Sequence, residues 1–126
     1  NISQVCRLAA HISEDFSIYS GNDDQTVPIL SLGGRGCIST VSNLIPAAYS
    51  RMIHDYLAGD VQKAGKTQVA LKPLIDVIFS EVNPIPVKAA LHFMDFCELE
   101  YRLPLCPPSN KTQYRLYEAL REYQLV

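Results

Sequence analysis

Two short apolar runs, each joined to a turn of small residues, constrain this chain more than any other feature. Phe16-Ser17-Ile18-Tyr19-Ser20 runs into Gly21-Asn22-Asp23-Asp24, and Gly33-Gly34-Arg35-Gly36 runs into Cys37-Ile38-Ser39-Thr40-Val41-Ser42-Asn43. Helical spacing precedes and follows each run. Each therefore predicts one strand of a parallel sheet, at about 16–20 and 36–41, with Phe16, Ile18, Ile38 and Thr40 facing inward. In folds of this kind the chemistry gathers at the C-terminal tips of the strands, which singles out Gly21 and the stretch from Ile38 to Asn43. Two parallel strands alone would both be open edges, and such a pair makes no stable sheet. The chain is expected to be part of a larger barrel or sheet.

The rest of the chain reads as helices. Ile2, Val5, Leu8, Ala9 and Ile12 repeat at helical spacing over 2–13. Asp23 or Asp24 is placed to cap a short helix through Val27, Ile29, Leu30 and Leu32, which Gly33-Gly34 stops. Pro46 opens a helix whose inward residues are Ala47, Ala48, Met52, Ile53, Tyr56 and Leu57, and Gly59 ends it. Asp60 caps a long helix marked by Val61, Ala64, Leu71, Leu74, Ile75, Ile78 and Phe79, with a kink expected at Pro73. Asn83-Pro84-Ile85-Pro86 leads into a helix from Val87 to about Phe96. After the proline-rich loop Leu103–Pro108, Ser109 or Asn110 caps a last helix with the stripe Tyr114, Leu116, Tyr117, Leu120 and Tyr123. The order is α-β-α-β-α over 1–60, a barrel-like half, and all helix over 61–126.

Charge and composition exclude several functions. A net charge of −2 argues against nucleic acid or an anionic membrane as the main partner, and no run is long enough to span a bilayer. The first residue is Asn1 rather than Met, at the start of a helical pattern, so a fragment, a cleaved chain or a partly ordered chain is expected. Cys6, Cys37, Cys97 and Cys106 form no CxxC pair and sit among apolar neighbours, as free thiols in a reducing cytoplasm do. The glycines at 33, 34 and 36 precede a strand instead of opening a helix, so they read as a tight turn and not as a phosphate loop. Adjacent Asp23 and Asp24 suit capping better than acid–base work. His11, His54 and His92 fall on three separate helical patterns, and Ser39 lacks a nucleophile-elbow context. All five lysines, Lys63, Lys66, Lys72, Lys88 and Lys111, follow residue 60. An imine-forming lysine must be held desolvated inside a barrel, and none of these is placed for that.

Four strings occur in a telling order. They are Tyr19-Ser20-Gly21-Asn22-Asp23, Gly33-Gly34-Arg35-Gly36-Cys37-Ile38-Ser39-Thr40-Val41-Ser42-Asn43, Asn83-Pro84-Ile85-Pro86-Val87-Lys88-Ala89-Ala90 and Tyr101-Arg102-Leu103-Pro104-Leu105. Together they resemble the C-terminal part of the dihydrodipicolinate synthase (4-hydroxy-tetrahydrodipicolinate synthase) family, over essentially the whole chain. The Asn-Pro-Ile-Pro-Val-Lys string is the most specific.

The resemblance implies an α/β fold, the last two strands and flanking helices of a TIM (β/α)8 barrel over 1–60, then a helical C-terminal domain over 61–126. It implies a class I aldolase-type lyase of lysine biosynthesis that condenses pyruvate with L-aspartate-4-semialdehyde. A lysine forms an imine with pyruvate, proton loss gives an enamine, and the enamine attacks the aldehyde. The imine is the electron sink, so no metal or organic cofactor is implied. By the same resemblance the backbone carbonyl of Ile38 lies beside pyruvate and Gly21 lines the pocket. The imine lysine and the other catalytic groups belong upstream of Asn1, so no catalytic residue is assigned in this chain. Cys37 and Ser42 stand where small apolar residues are commoner, and only packing changes are expected from them. The implied partners are the missing N-terminal part of the barrel and further subunits of a cytoplasmic homotetramer, with no nucleic acid and no membrane. A related pyruvate-dependent aldolase of the N-acetylneuraminate lyase kind and a non-catalytic scaffold or interaction module are the alternatives.

Overall fold

A computed structural model describes every residue except Glu14. The helices are α1 (Ile2–Ala9), α2 (Thr26–Leu30), α3 (Pro46–Leu57), α4 (Val61–Ile78), α5 (Ile85–Phe93) and α6 (Asn110–Glu122), and the strands are β1 (Tyr19–Ser20) and β2 (Gly36–Cys37). Short 3-10 turns occupy Asp23–Gln25 and Val41–Asn43. The chain divides into two compact units, Asn1–Ser39 with Ala47–Ala70, and Thr40–Pro46 with Leu71–Val126.

In the first unit β1 and β2 pair in parallel, Tyr19 opposite Gly36 and Ser20 opposite Cys37. Residues 21–35 make the crossover that a parallel pair requires, and α2 within it packs on both strands. Both strands are shorter than their apolar runs. The ladder ends with the Arg35 N–H donating to Ile18 O and the Ile38 N–H donating to Ser20 O, each 2.8 Å. A strand extends only as far as its neighbour offers partners, and among the described residues neither outer edge has one. The inward faces differ accordingly. Ile18 is buried, whereas Phe16 is 61% and Ile38 75% exposed. Thr40 is half-buried and leads into the 3-10 turn rather than a strand.

The turn into β2 needs glycine twice. Gly33 has φ +91°, the left-handed geometry that ends a helix, and a methyl group at Gly34 would lie 2.7 Å from the Ile29 carbonyl oxygen. α1 ends at Ala9 instead of Ser13 and fully buries none of its residues, with Ile2 and Leu8 exposed and Val5 and Ala9 half-buried. In α3 the buried residues are Tyr49 and Met52, while Ala47, Ala48 and Leu57 are exposed. The face that turns inward therefore starts at Tyr49 and continues at i+3. In α4 the expected cap forms, with the Lys63 N–H donating to Asp60 Oδ1 (3.2 Å), and the helix runs through Pro73.

The second unit is all helix. Leu71, Leu74, Ile75 and Ile78 of α4 are buried, as are Ile85, Pro86, Val87, Ala89 and Ala90 of α5, and α5 packs on α6. α5 starts earlier than the proline-rich string suggested, because prolines are tolerated in a helix's first turn, where the N–H they lack has no partner anyway. α6 buries Thr112, Leu116, Ala119 and Leu120. Tyr114 is 68% exposed and Tyr117 is also exposed, with only the edge of its ring against Phe93 at 5.8 Å between centroids. Tyr114 and Tyr117 flank the buried stripe instead of forming it, whereas Tyr123 is half-buried, and burial raises the pKa of its hydroxyl.

Candidate functional site

The two strand tips stand side by side. Ser20 is fully buried, and its hydroxyl donates to the Asn22 carbonyl (2.7 Å) while accepting from the Asn22 N–H (3.2 Å). That closes a tight turn around Gly21. A side chain at Gly21 would meet no atom within 4 Å, so the space beside it is open. Ile38 follows the last residue of β2, and its N–H is bound to the Ser20 carbonyl. The two residues singled out from the sequence thus share one end of the strand pair.

Behind this end lies a buried polar cluster. The backbone carbonyl of Asp23 faces Gln68 Nε2 at 3.0 Å, the Tyr49 hydroxyl at 3.1 Å and the Thr26 hydroxyl at 3.2 Å. Thr26 and Tyr49 also share a hydrogen bond of 2.6 Å. Gln68 Oε1 accepts from the Val27 N–H (3.2 Å), one of the N–H groups that the start of α2 leaves without an intrahelical partner. Burial drives the Tyr49 hydroxyl well above its ordinary pKa, and its hydrogen bond with the Cys37 side chain and the nearby Asp23 charge push the same way. Tyr49 is therefore a neutral phenol and serves as a donor.

Asp23, which the sequence offered with Asp24 as a cap, is buried in the first turn of the 3-10 segment. It is 1% exposed, and the flanking Asn22 makes no side-chain cap bond. Cys37 does more than pack, since its side chain belongs to this cluster. Gln68 and Tyr49 were missed by the sequence reading, although each left a trace. Gln68 is the one polar residue on the stripe Ala64, Gln68, Leu71 and Ile75, and Tyr49 sits three residues before Met52. A polar residue on a buried helical stripe must have partners, and here they are backbone groups of a loop.

The remaining candidates stay apart. His11, His54 and His92 each place Nδ1 on a carbonyl of their own neighbourhood, at Arg7, Ser50 and Cys97. Among the described residues no group of His, Cys, Asp and Glu is placed to hold a metal ion, and no helix is long and apolar enough to cross a membrane. Lys63 pairs with Asp55 (3.0 Å), Lys72 pairs with Asp76, and Lys88 lies 5.4 Å from the centre of the Tyr101 ring. Lys66 and Lys111 are exposed. All four cysteines are free.

Known proteins match this arrangement along its whole length. The model of the dihydrodipicolinate synthetase family matches residues 1–123. The chain belongs to this family. It is 42% identical over all 126 residues to a 4-hydroxy-tetrahydrodipicolinate synthase of Alkaliphilus oremlandii, and covers 43% of that protein. It is 46% identical to the synthase of a Thermoanaerobacter strain, again over the full chain and 42% of the relative. The crystal structure of the Thermotoga maritima dihydrodipicolinate synthase superposes on all of it with a TM-score of 0.97 at 42% identity, over 44% of that chain. The chain thus spans less than half the length of the relatives it matches. In this family member the most specific string, Asn83 to Ala90, is part of the helical core. Ile85, Pro86 and Val87 are buried, and the Tyr101 hydroxyl donates to the Ile85 carbonyl (2.9 Å) while its ring receives Lys88. Two strings separate in sequence are therefore one structural joint.

Proposed function

We propose that this chain is the C-terminal part of a synthase that condenses pyruvate with L-aspartate-4-semialdehyde to 4-hydroxy-tetrahydrodipicolinate. The observation that carries the reading is the match of residues 1–123 to the family, at more than 40% identity to synthases of that name. Residues 1–60 are read as the last two strands and flanking helices of a TIM barrel and residues 61–126 as the helical C-terminal domain. Pyruvate is held as an imine on a lysine upstream of Asn1, and the imine supplies the electron sink. This chain contributes the floor of the pocket, with Gly21 leaving room for substrate and the Ile38 carbonyl beside it. The open space at Gly21 and its place next to Ile38 support that assignment. The complete protein is read as a cytoplasmic homotetramer. One relative, 41% identical, is described as a monomeric dihydrodipicolinate synthase variant, so the mass of the assembly in solution decides this point.

Pyruvate with borohydride tests the reading. An ordinary lysine has a pKa near 10.4, so only about one in a thousand is a free amine at neutral pH. The five lysines here are exposed, ion-paired or stacked on Tyr101. Reduction of the complete protein should leave one adduct per subunit on a peptide upstream of Asn1 and no stoichiometric adduct within residues 1–126. Labelling of Lys63, Lys66, Lys72, Lys88 or Lys111 would overturn the placement of the site. No adduct anywhere would favour a non-catalytic protein.

A further inference from the structure

We propose that Gln68 and Tyr49 are positioning residues of the substrate face, holding the Asp23 carbonyl and through it the Gly21 turn. What that face binds rests on the aldolase reading above. The geometry carries the rest. A carbonyl oxygen has two lone pairs, and the Asp23 oxygen has three donors within reach. The Thr26–Tyr49 bond uses one of the two hydroxyl protons, so only one remains for the carbonyl. The carbonyl accepts from Gln68 and from the hydroxyl whose proton turns to it, so buried donors of α3 and α4 hold it. The Gln68 amide has no freedom to flip, because its donor end meets the Asp23 carbonyl and its acceptor end meets the Val27 N–H. α4 and α3 therefore grip a connection whose own secondary structure is a single 3-10 turn.

That grip sits two residues from Gly21. Between them the Ser20 hydroxyl spans Gly21 on both of its hydrogen bonds to Asn22. Gly21 thus has Ser20 fixed in the ladder on one side and Asn22-Asp23 fixed by buried side chains on the other. With open space where a side chain would begin, Gly21 takes its position from these neighbours. A pocket wall built from backbone needs such support, because a shift of about 1 Å in a positioning element can cost up to about a hundredfold in kcat/KM. Gln68 and Tyr49 are buried and bond the Asp23 carbonyl, so they act through the loop.

The test uses the complete protein with Gln68→Leu and, separately, Tyr49→Phe. Leucine keeps the volume and removes both amide bonds, while phenylalanine removes only a hydroxyl and keeps the fold if leucine does not. Hydrogen–deuterium exchange is followed at the amides of residues 21–25, and kcat and KM for pyruvate are measured alongside. The proposal expects exchange at 21–25 several-fold faster than in the wild type, unchanged exchange in α5 and α6, and a KM that rises several-fold with kcat largely kept. Unchanged loop exchange overturns it, and so does faster exchange with an unchanged KM. A wild-type protein that forms no imine with pyruvate overturns the aldolase reading instead, and the exchange comparison still decides whether the grip holds the loop.

Discussion

Gly21 shows how little the fold asks of a residue proposed to line a pocket. Its backbone is not in the left-handed region and nothing lies within 4 Å of where a side chain would begin, so the fold itself does not require glycine there. If the open space is the pyruvate pocket, only the substrate requires it. Gly21→Ala in the complete protein should leave the melting temperature unchanged within about 1 °C, since a new methyl group in open space loses no contact. KM for pyruvate should rise about tenfold or more, the equivalent of about 1.4 kcal/mol of binding. A melting temperature that falls while KM stays put would remove Gly21 from the pocket. Gly34 is the contrast. There a methyl group would collide with the backbone of Ile29, so the glycine serves packing and was legible from the αβ turn pattern alone.

Among the elements, α6 shows how an amphipathic stripe is finally phased. Ser109 is its N-cap, with its hydroxyl accepting from the Thr112 N–H, and the Glu81 carboxylate accepts from both the N–H (3.1 Å) and hydroxyl (2.8 Å) of Ser109. Ser109→Ala loses the cap bond and one of these two, and should cost about 0.5–2 kcal/mol in denaturant unfolding. Glu81 adds a pH signature. Its hydrogen bonds with Thr112 and Ser109 hold its carboxyl below the ordinary value of 4.5. A depressed folded-state pKa contributes stability that is present above the unfolded value and lost as pH falls through the folded one. The wild type should therefore lose stability relative to Glu81→Gln as pH drops below about 4.5. Because the group is open to solvent, screening keeps the difference small. Parallel stability curves for the two proteins across that range would exclude the effect.

At the scale of the whole molecule the decisive fact is the sheet. β1 and β2 pair as strands only with each other among the described residues, and Phe16, Tyr19 and Ile38 are 54% exposed or more. The matched relatives are more than twice as long as this chain. Residues 1–126 expressed alone should therefore associate or unfold instead of forming a stable monomer, since open parallel edges pair with whatever strand is near. A monomer by sedimentation that unfolds cooperatively, with near-UV and far-UV circular dichroism changing together, would contradict this.

The sequence by itself determined the order of elements, the parallel pair and its incompleteness, and the pairing of Gly21 with Ile38 at one end. Those features follow from local causes, namely where glycine and proline break the chain, where apolar residues alternate or repeat, and which residues can cap a helix. It did not determine the ends of the strands, because a strand's length depends on a neighbour that the pattern does not contain. Nor did it determine the burial of α1 or the phase of α6, where the apolar and aromatic residues form a stripe broader than the face that becomes buried. Tertiary structure alone decided the role of Gln68. An amide on a helical stripe is costly until something unpaired meets it, and what meets it is the Asp23 carbonyl, 45 residues earlier in the chain. Backbone groups of a loop leave no mark in composition or spacing, so their partners emerge only when the chain is folded.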